Sequence, residues 1–179
     1  AMGMTKALME KITTAAARSA GENDTVLCSV RYGNVMYSRG SVIPLFIEQI
    51  KAGKPLTLTV PEMTRFLLPL PQAIELVTFA FEHANQGDLF VKKAPACTVE
   101  VLALAMKELF ASDVPLRVIG MRHGEKIFET LATREELAKA EDMGDYYRVP
   151  MDDRDLNYGK YFTDGVGHMI ILPNGDVAN

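Results

Sequence analysis

The stretch VRYGNVMYSRGSVIPLF, residues 30–46, decides the fold of this chain and indicates where it binds a ligand. An apolar strand predicted over Val26–Val30 runs into the polar turn Arg31–Asn34, and a helix is predicted from Ser41, with Pro44 in its first turn. A turn between a strand and a helix N-terminus presents backbone N–H groups and the positive end of a helix dipole. The stretch therefore predicts an α/β protein that binds an anion at this turn.

Two further arginines stand in turn-like sequences, Arg65 in MTRF and Arg122 in GMRHGEK. A guanidinium group binds phosphate in a bidentate manner and stays charged at every physiological pH. The Asn34 amide is a further donor for a phosphate oxygen, and the Ser41 hydroxyl is another. Together these residues predict a site for a doubly charged phosphate ester.

Each of these residues also has an ordinary structural interpretation that the sequence leaves open. Asn34 is common in turns, Ser41 can serve only as a helix cap, and Arg65 can pair with Glu62 on the surface. Arg39 fits an exposed turn as well as it fits an anion site.

Composition excludes several classes of protein. A length of 179 residues with 48% hydrophobic content predicts one domain with an ample core. The net charge of −4 argues against a nucleic-acid binder, which would carry a basic face. Two cysteines without metal-ligand spacing indicate a reducing compartment. Because no apolar run approaches the roughly 20 residues of a membrane span and no leader is evident, we expect a cytoplasmic chain without a membrane span.

Apolar periodicity predicts helices alternating with strands, which is typical of an α/β fold with a largely parallel sheet. The predicted helices are 6–20, 41–52, 71 to near 87, 98 to about 109 with Thr98 as its cap, 124–131 and a short one after the Thr133-x-x-Glu136 capping box. The predicted strands are 26–30, 56–60, 88–92, 116–119 and 169–172. The predicted buried helix faces are Leu8, Ile12, Ala15 and Ala16; Ile43, Phe46, Ile47 and Ile50; Ile74, Val77 and Phe81; and Val99, Leu102, Met106 and Leu109.

Five segments resemble one enzyme family: MGMTKALMEK, the stretch 30–46, MTRFLLPL, MRHGEKIFETL and GDYYRVPM. They are similar to the C-terminal half of bacterial UDP-N-acetylglucosamine 4,6-dehydratases, especially the C5-inverting type of capsule and O-antigen synthesis. These enzymes are extended short-chain dehydrogenase/reductases. The resemblance implies an incomplete Rossmann sheet plus a small α/β substrate-binding subdomain. It further implies the end of the NAD(P)-binding domain at 1–40, the nucleotide-sugar-binding subdomain mainly at 41–150, and a loop-rich extension at 151–179.

The resemblance also implies a cofactor, NAD or NADP, and the residues that contact it. Short-chain dehydrogenases carry Tyr-x-x-x-Lys on a helix, and here Lys6 matches the lysine while Met2 stands at the tyrosine position. Methionine is neither an acid nor a base, so proton transfer falls to groups outside this chain. If residues 1–3 are a tag remnant, that position carries no information. Tyr32 and Gly33 are implied to lie beside the nicotinamide.

The same resemblance implies a UDP-sugar substrate bound by Asn34, Ser41, Arg65, Arg122 and Glu125. It implies oxidation at C4 of the sugar, loss of water from C6, return of hydride at C6 and inversion at C5. No metal is implied, and the full-length enzyme is expected to be a homo-oligomer.

Two alternatives remain open at this point. The chain contains no G-x-G-x-x-G loop, so we expect little turnover from it alone. Its parent is then either a 4,6-dehydratase or another nucleotide-sugar epimerase or dehydratase. A non-catalytic nucleotide-sugar-binding remnant is the other alternative.

Overall fold

The computed structural model describes residues 2–21, 24–152, 170–171 and 177–178. The helices are α1 (Met2–Arg18), α2 (Val42–Lys51), α3 (Leu70–His83), α4 (Val99–Leu109) and α5 (Arg134–Leu137). The strands are β1 (Ser29–Arg31), β2 (Asn34–Val35), β3 (Leu56–Leu58), β4 (Thr64–Leu68), β5 (Leu89–Lys92), β6 (Ala96–Thr98), β7 (Leu116–Val118), β8 (Glu141–Met143), β9 (Tyr146–Val149), β10 (Ile170–Ile171) and β11 (Val177–Ala178). The alternation of helices and strands confirms the predicted α/β class.

The main sheet has the strand order β1-β5-β9-β8. Strand β1 runs parallel to β5, with Ser29 opposite Leu89, whereas β9 is antiparallel to both β5 and β8. The prediction of a largely parallel sheet is therefore only partly right. Strands β8 and β9 are joined by a tight turn in which Gly144 has a φ of +75°, and a tight turn can only connect antiparallel strands.

The two faces of this sheet carry different chemistry, because successive side chains of a strand point to opposite faces. On one face Phe90 and Tyr146 pack against Leu76 and Ala80 of α3. On the other face Arg31 of β1 bonds to α1 and α5. The first face thus carries the apolar cluster against α3, and the second is joined to α1 and α5 through Arg31.

A second core lies between α2, α4 and the parallel pair β3–β7. Phe46 of α2 and Leu56 of β3 are fully buried, and Leu102 of α4 is 8% exposed. Thr98 accepts a hydrogen bond from the Val101 N–H at 3.1 Å, as its predicted role as a cap requires. The predicted faces of α2 and α4 are confirmed except at Leu109, which is 77% exposed at the end of α4.

The predicted helix at 124–131 is wrong. Gly124 adopts a φ of +81°, which lies outside the helical region, and the segment consists of turns and bends. The Thr64 N–H donates to the Ile127 carbonyl oxygen at 2.9 Å. This carbonyl therefore bonds to β4 instead of forming a helical hydrogen bond within its own segment. Glu125 accepts from the Arg122 N–H, a local contact that mimics the start of a helix.

The predicted buried faces of α1 and α3 are also wrong. In α1, Leu8 and Ile12 are 59% and 60% exposed, while Ala17 on the opposite face is buried. In α3, Phe81 is 85% exposed and Ala80 is buried, because small residues let the helix approach the sheet closely. Apolar periodicity identified both helices correctly, but the most apolar stripe of each has no partner within the described residues.

The C-terminal region is described only at two short strands. Strands β10 and β11 pair in antiparallel fashion, and β10 lies within the strand predicted over 169–172. The remaining residues of the predicted loop-rich tail, including the turn predicted at 173–175, lie outside the described residues. No helix in the described part is long and apolar enough to cross a membrane.

Cys28 and Cys97 are both free thiols. Burial raises the pKa of the Cys28 thiol, with a smaller contribution from the Asp88 carboxylate, and burial raises the pKa of Cys97. Both side chains are half-buried and pack against the hydrophobic clusters of the two cores.

Candidate functional site

The turn after β1 lies against β4. Strands β2 and β4 are parallel, with Asn34 opposite Leu67. A Cβ atom at Gly33 would overlap the Cβ of Phe66, so glycine is required for the two backbones to approach so closely. Arg65 is the neighbour of Phe66 on β4. The fold thus brings the turn of the first motif and the arginine of the second to the same pair of strands.

Arg65 is half-buried and faces a carboxylate. Its Nη1 donates to the Thr64 carbonyl oxygen at 2.6 Å, and its Nε lies 3.5 Å from Oε1 of Glu129. The alternative that it pairs with Glu62 is therefore not what the structure shows. The guanidinium is held in place by β4 while its anionic partner is 36% exposed and belongs to an irregular segment.

Arg122 and Glu125 belong to the same loop as Glu129. The Arg122 N–H donates to Oε2 of Glu125 at 2.9 Å, and the Arg122 side chain is exposed. His123 is exposed as well. The bond from Thr64 to Ile127 ties this loop to β4, which places it on the strand that carries Arg65.

Ser41 occupies the N-cap position of α2 but does not cap the helix through its side chain. Its Oγ atom is buried, and it has no hydrogen-bond partner in the described chain. The loop that leads to it includes Tyr37, whose φ of +60° is rare for a residue with a side chain. An unsatisfied hydroxyl at a helix N-terminus fits the predicted anion contact, and the simple role as a side-chain cap is wrong. Arg39 in the same loop is exposed.

Met2 is the first residue of α1, and Lys6 follows it four positions later in the same helix. Lys6 is exposed and precedes Glu10 by one turn, and Glu10 bonds to Arg31 at the carboxyl end of β1. Lys6 therefore lies on the face of α1 that is turned towards the end of β1. Tyr32, which follows β1, is 42% exposed.

Arg31 is the residue of this region that the sequence did not single out. Its guanidinium bonds to both carboxylate oxygens of Glu10, at 3.0 and 2.6 Å, and to both of Glu136, at 2.9 and 3.1 Å. A further bond of 2.7 Å reaches the Leu131 carbonyl oxygen. These bonds raise the pKa of Arg31, chiefly through Glu10, and lower the pKa of Glu136. One cation thus joins α1, β1, α5 and the loop that contains Glu129.

Glu136 has a second role, which fixes its geometry towards Arg31. It completes the predicted capping box, since it accepts from the Thr133 N–H at 2.8 Å and its own N–H donates to the Thr133 hydroxyl. The sequence Thr133-x-x-Glu136 indicated the capping box, whereas no local pattern indicated that Glu136 also binds Arg31.

A cavity of about 450 Å³ opens between the carboxyl end of β5 and the loop that contains Glu129. Phe66, Val91 and Leu131 give it an apolar floor, and Tyr147 forms an aromatic wall. Ligands of open α/β sheets bind outside the carboxyl ends of the strands, where this cavity lies. Its other lining residues are Lys92, Lys93, Ala94, Glu129, Thr130, Ala132 and Leu137.

Five of the predicted site residues divide into two groups. Gly33, Asn34 and Arg65 lie on the adjoining strands β2 and β4, or in the turn beside them. Arg122 and Glu125 lie in the loop that binds β4, and no hydrogen bond or ion pair joins the side chain of Arg122 to Asn34 or Arg65. The side chains of Asn34 and Arg122 form no hydrogen bond or ion pair with other described residues.

Metal binding has no support in this part of the chain. No group of three or more histidine, cysteine or carboxylate side chains within residues 2–21 and 24–152 could hold a metal ion.

The sequence matches a family described as "Polysaccharide biosynthesis protein" over residues 1–151. A protein of Rickettsia felis named UDP-glucose 4-epimerase is 60% identical over 179 residues, which cover 100% of this chain and 52% of that protein. A protein of the same name from Rickettsia akari is 59% identical over 172 residues, covering 96% of this chain and 50% of the relative. The chain spans about half the length of the curated relatives it matches.

Solved structures agree with this similarity. Pen from Bacillus thuringiensis superposes with a TM-score of 0.77 at 39% identity, covering 83% of this chain and 47% of that protein. UDP-glucose 4-epimerase from Thermotoga maritima, solved with UDP-glucose, gives a TM-score of 0.61 at 20% identity, with 76% and 45% coverage. DesIV, a dTDP-glucose 4,6-dehydratase from Streptomyces venezuelae solved with NAD, gives a TM-score of 0.60 at 15% identity. The match covers 73% of this chain and 41% of that protein. The last two share the fold of this chain.

Proposed function

The chain belongs to the polysaccharide biosynthesis protein family, and from this premise we propose that it forms the nucleotide-sugar-binding half of an NAD(P)-dependent enzyme that modifies a UDP-sugar. The observation that carries the proposal is the meeting of the 30–46 motif with Arg65 on the paired strands β2 and β4. The loop that contains Glu129 borders the same region and lines the cavity.

Arg65 is the residue we expect to bind the diphosphate. Its guanidinium lies 3.5 Å from Glu129, a distance that indicates a weak and replaceable ion pair. A diphosphate accepts more and stronger charge-assisted hydrogen bonds from arginine than one carboxylate at that distance. The side chains of Asn34 and Arg122, which form no hydrogen bond or ion pair among the described residues, can add further contacts to the same ligand.

Ser41 and Glu125 complete the proposed substrate contacts. The buried Ser41 hydroxyl at the start of α2 has no partner among the described residues and can donate a hydrogen bond to a phosphate oxygen. The helix dipole favours a negative charge at the same place. Glu125 is half-buried and has one carboxylate oxygen on the Arg122 N–H, which leaves the other oxygen for a ribose hydroxyl.

The residues present fit part of a dinucleotide site. Lys6 lies on the side of α1 that faces the carboxyl end of β1, where its ammonium group can donate to a ribose hydroxyl, and Tyr32 and Gly33 lie at that same strand end. The bound dinucleotide supplies the oxidation and reduction of the sugar. Lys6 then holds the cofactor in place, and the diphosphate contacts orient the sugar ring beside it.

Within this family we propose 4,6-dehydration of UDP-N-acetylglucosamine with inversion at C5, for capsule or O-antigen synthesis. Met2 stands one helical turn before Lys6, where the ordinary enzymes of this fold have a tyrosine. Methionine neither gives nor takes a proton, which disfavours a simple 4-epimerase that relies on that tyrosine.

A second candidate is 4-epimerisation of a UDP-sugar, which the names of the Rickettsia relatives favour. NMR of the product separates the two, because a dehydratase yields a 4-keto-6-deoxy sugar and an epimerase yields a sugar of unchanged composition. The assay needs the chain combined with the half of the relative that it does not match.

Calorimetric titration of the 179-residue chain with UDP tests the proposed site directly. We expect binding that weakens by at least about tenfold in Arg65→Ala, because a charge-assisted bidentate contact is lost. Arg117→Ala is the matched control, since Arg117 is exposed on β7 and should leave the UDP affinity unchanged. Absence of UDP binding, or equal losses in the two variants, contradicts the proposal.

A further inference from the structure

On the basis of the proposed function, we infer that Glu129 is a specificity-determining residue with two opposite effects on the ligand. Its carboxylate competes with the diphosphate for Arg65, and once displaced it accepts a hydrogen bond from a hydroxyl group of the sugar. Glu129 therefore weakens the binding of UDP and increases the preference for UDP that carries a sugar.

Glu129 lies between Arg65 and the cavity. Its Oε1 atom is 3.5 Å from Nε of Arg65, and the residue also lines the cavity of about 450 Å³. Arg65 and Phe66 are neighbours in β4, so their side chains leave opposite faces of the strand, and Phe66 is the one that lines the cavity. A ligand whose phosphates bind Arg65 therefore passes Glu129 before it enters the cavity.

The backbone on either side of Glu129 is fixed, whereas its carboxylate is held by one contact. The Thr64 N–H donates to the Ile127 carbonyl oxygen at 2.9 Å. Nη1 of Arg31 donates to the Leu131 carbonyl oxygen at 2.7 Å. Among the described residues, the ion pair at 3.5 Å is the only polar interaction of the Glu129 side chain. The side chain can therefore turn towards the cavity while the backbone of this loop stays in place.

The ion pair between Arg65 and Glu129 differs from the one between Arg31 and Glu136. Arg31 donates to both carboxylate oxygens of Glu136, at 2.9 and 3.1 Å. Arg65 approaches one oxygen of Glu129, and 3.5 Å is longer than the roughly 2.7–3.2 Å of an N–H···O hydrogen bond. The first pair has the geometry of a permanent link. The second is open to displacement by phosphate oxygens, which form short charge-assisted bonds with arginine.

The displaced carboxylate needs a neutral hydrogen-bond donor. A diphosphate on Arg65 repels Glu129, because both groups are anions. Lys92 and Lys93, which also line the cavity, are already paired with aspartates at 3.1 and 2.6 Å. An ionised carboxylate only accepts hydrogen bonds, so the part of the ligand that reaches Glu129 has to carry a hydroxyl group or an N–H.

A sugar ring has the chemistry that the rest of the cavity requires. Phe66, Val91 and Leu131 form an apolar floor, and Tyr147 forms an aromatic wall, against which the C–H face of a sugar can pack. The hydroxyl groups at the rim of the ring are then available to Glu129. A second anionic group in this position would meet the carboxylate and be repelled. The cavity therefore selects a neutral, polyhydroxylated group attached to the diphosphate.

The first test is calorimetric titration of the 179-residue chain with UDP. Glu129→Gln should bind UDP about threefold more tightly than the wild type, because the competitor for Arg65 is lost and an exposed ion pair is weak. Glu62→Gln is the matched control. It removes the same charge from an exposed residue three positions before Arg65, without removing an ion pair of Arg65, and should leave the UDP affinity unchanged.

The second test compares UDP-N-acetylglucosamine with UDP in the same experiment. In Glu129→Ala the ratio of the two affinities should fall by about tenfold, because a charge-assisted hydrogen bond to the sugar is lost. Glu129→Gln should lose less of this ratio, since its amide oxygen still accepts a hydrogen bond. One residue thus moves the affinity for UDP and the preference for the sugar in opposite directions, which a general loss of structure would not do.

A double variant shows whether the competition is direct. In the Arg65→Ala background, Glu129→Gln should no longer tighten UDP binding, because the group for which the two anions compete is absent. The inference is overturned if the tightening persists in that background, if Glu62→Gln has the same effect, or if the affinity ratio is unchanged in Glu129→Ala. UDP binding that depends on Arg65 but not on Glu129 overturns this inference alone. Absence of UDP binding by the wild-type chain overturns the proposed function together with it.

Discussion

The core between α2, α4 and the β3–β7 pair differs from the main sheet in how it is stabilised. Among the described residues, the first region buries nine hydrophobic side chains in one cluster, with further apolar residues packed around it. In the same part of the chain, the cluster between the main sheet and α3 has four buried members, Leu76, Ala80, Phe90 and Tyr146. On the other face of that sheet, Arg31 of β1 joins the sheet to α1 and α5 through its bonds to Glu10 and Glu136.

The difference shows that the two regions depend on different forces. Apolar burial stabilises the first region in proportion to the area removed from water. The second depends on a guanidinium that must keep two half-buried carboxylates neutralised. Substitutions in the two regions should therefore differ in size and in their dependence on pH.

The largest effect is expected for Phe46→Ala. Phe46 is fully buried in the centre of the first core, so its truncation should reduce the free energy of unfolding by about 4 kcal/mol. Urea denaturation followed by circular dichroism measures the change. Leu45→Ala is the control, because Leu45 is the next residue in α2 and is 44% exposed. Equal losses in the two variants would show that this core is not the main source of stability.

Arg31→Met should destabilise the chain by about 2 kcal/mol, since it leaves Glu10 and Glu136 without their cation. The methionine retains most of the apolar stem, so the loss reports the charge. The same urea experiment measures it, with Arg117→Met as the exposed arginine control. A loss no greater than that of the control would contradict the role of Arg31 as the link between α1 and α5.

The stability that Arg31 supplies should disappear in acid. Its hydrogen bonds hold the pKa of Glu136 below the ordinary value, so the unfolded chain binds a proton at Glu136 more readily than the folded one. The contribution is complete above the unfolded pKa of about 4.3 and is lost as the pH falls through the folded value. The difference in unfolding free energy between the wild type and Arg31→Met should therefore shrink as pH falls from about 6 to about 3. A constant difference would mean that Glu136 does not carry this interaction.

The smallest effect is expected for Ile12→Ser. Ile12 is 60% exposed on the stripe of α1, so the free energy of unfolding should change by no more than about 0.5 kcal/mol. The urea experiment again supplies the value. A loss of several kcal/mol would mean that this stripe is buried in solution and would remove the contrast with the first core.

The sequence predicted those features that depend on local residues or on long apolar patterns. Helices α2 and α4, the Thr98 cap and the Thr133 capping box were predicted from such signals and are present. The short strands β2 and β6 were not predicted, because two or three residues become a strand only when β4 lies between them.

The candidate site was only partly predictable for the same reason. The sequence selected Arg65 by residue type, but its partner Glu129 lies 64 positions further along the chain. Arg31 was passed over because its carboxylate partners are distant in sequence, Glu10 by 21 positions and Glu136 by 105. The wrong helix at 124–131 and the wrong inner face of α3 arose where tertiary contacts, rather than local propensity, set the conformation.

The close approach of Gly33 to Phe66 has a consequence for evolution. Any side chain at position 33 would overlap the Cβ of residue 66, which every amino acid except glycine possesses. Change at one of the two positions is therefore conditional on the other, with glycine free to migrate from 33 to 66 but not to be lost from both. Substitutions at the pair therefore have a fixed order, because glycine has to be present at position 66 before a side chain can appear at position 33.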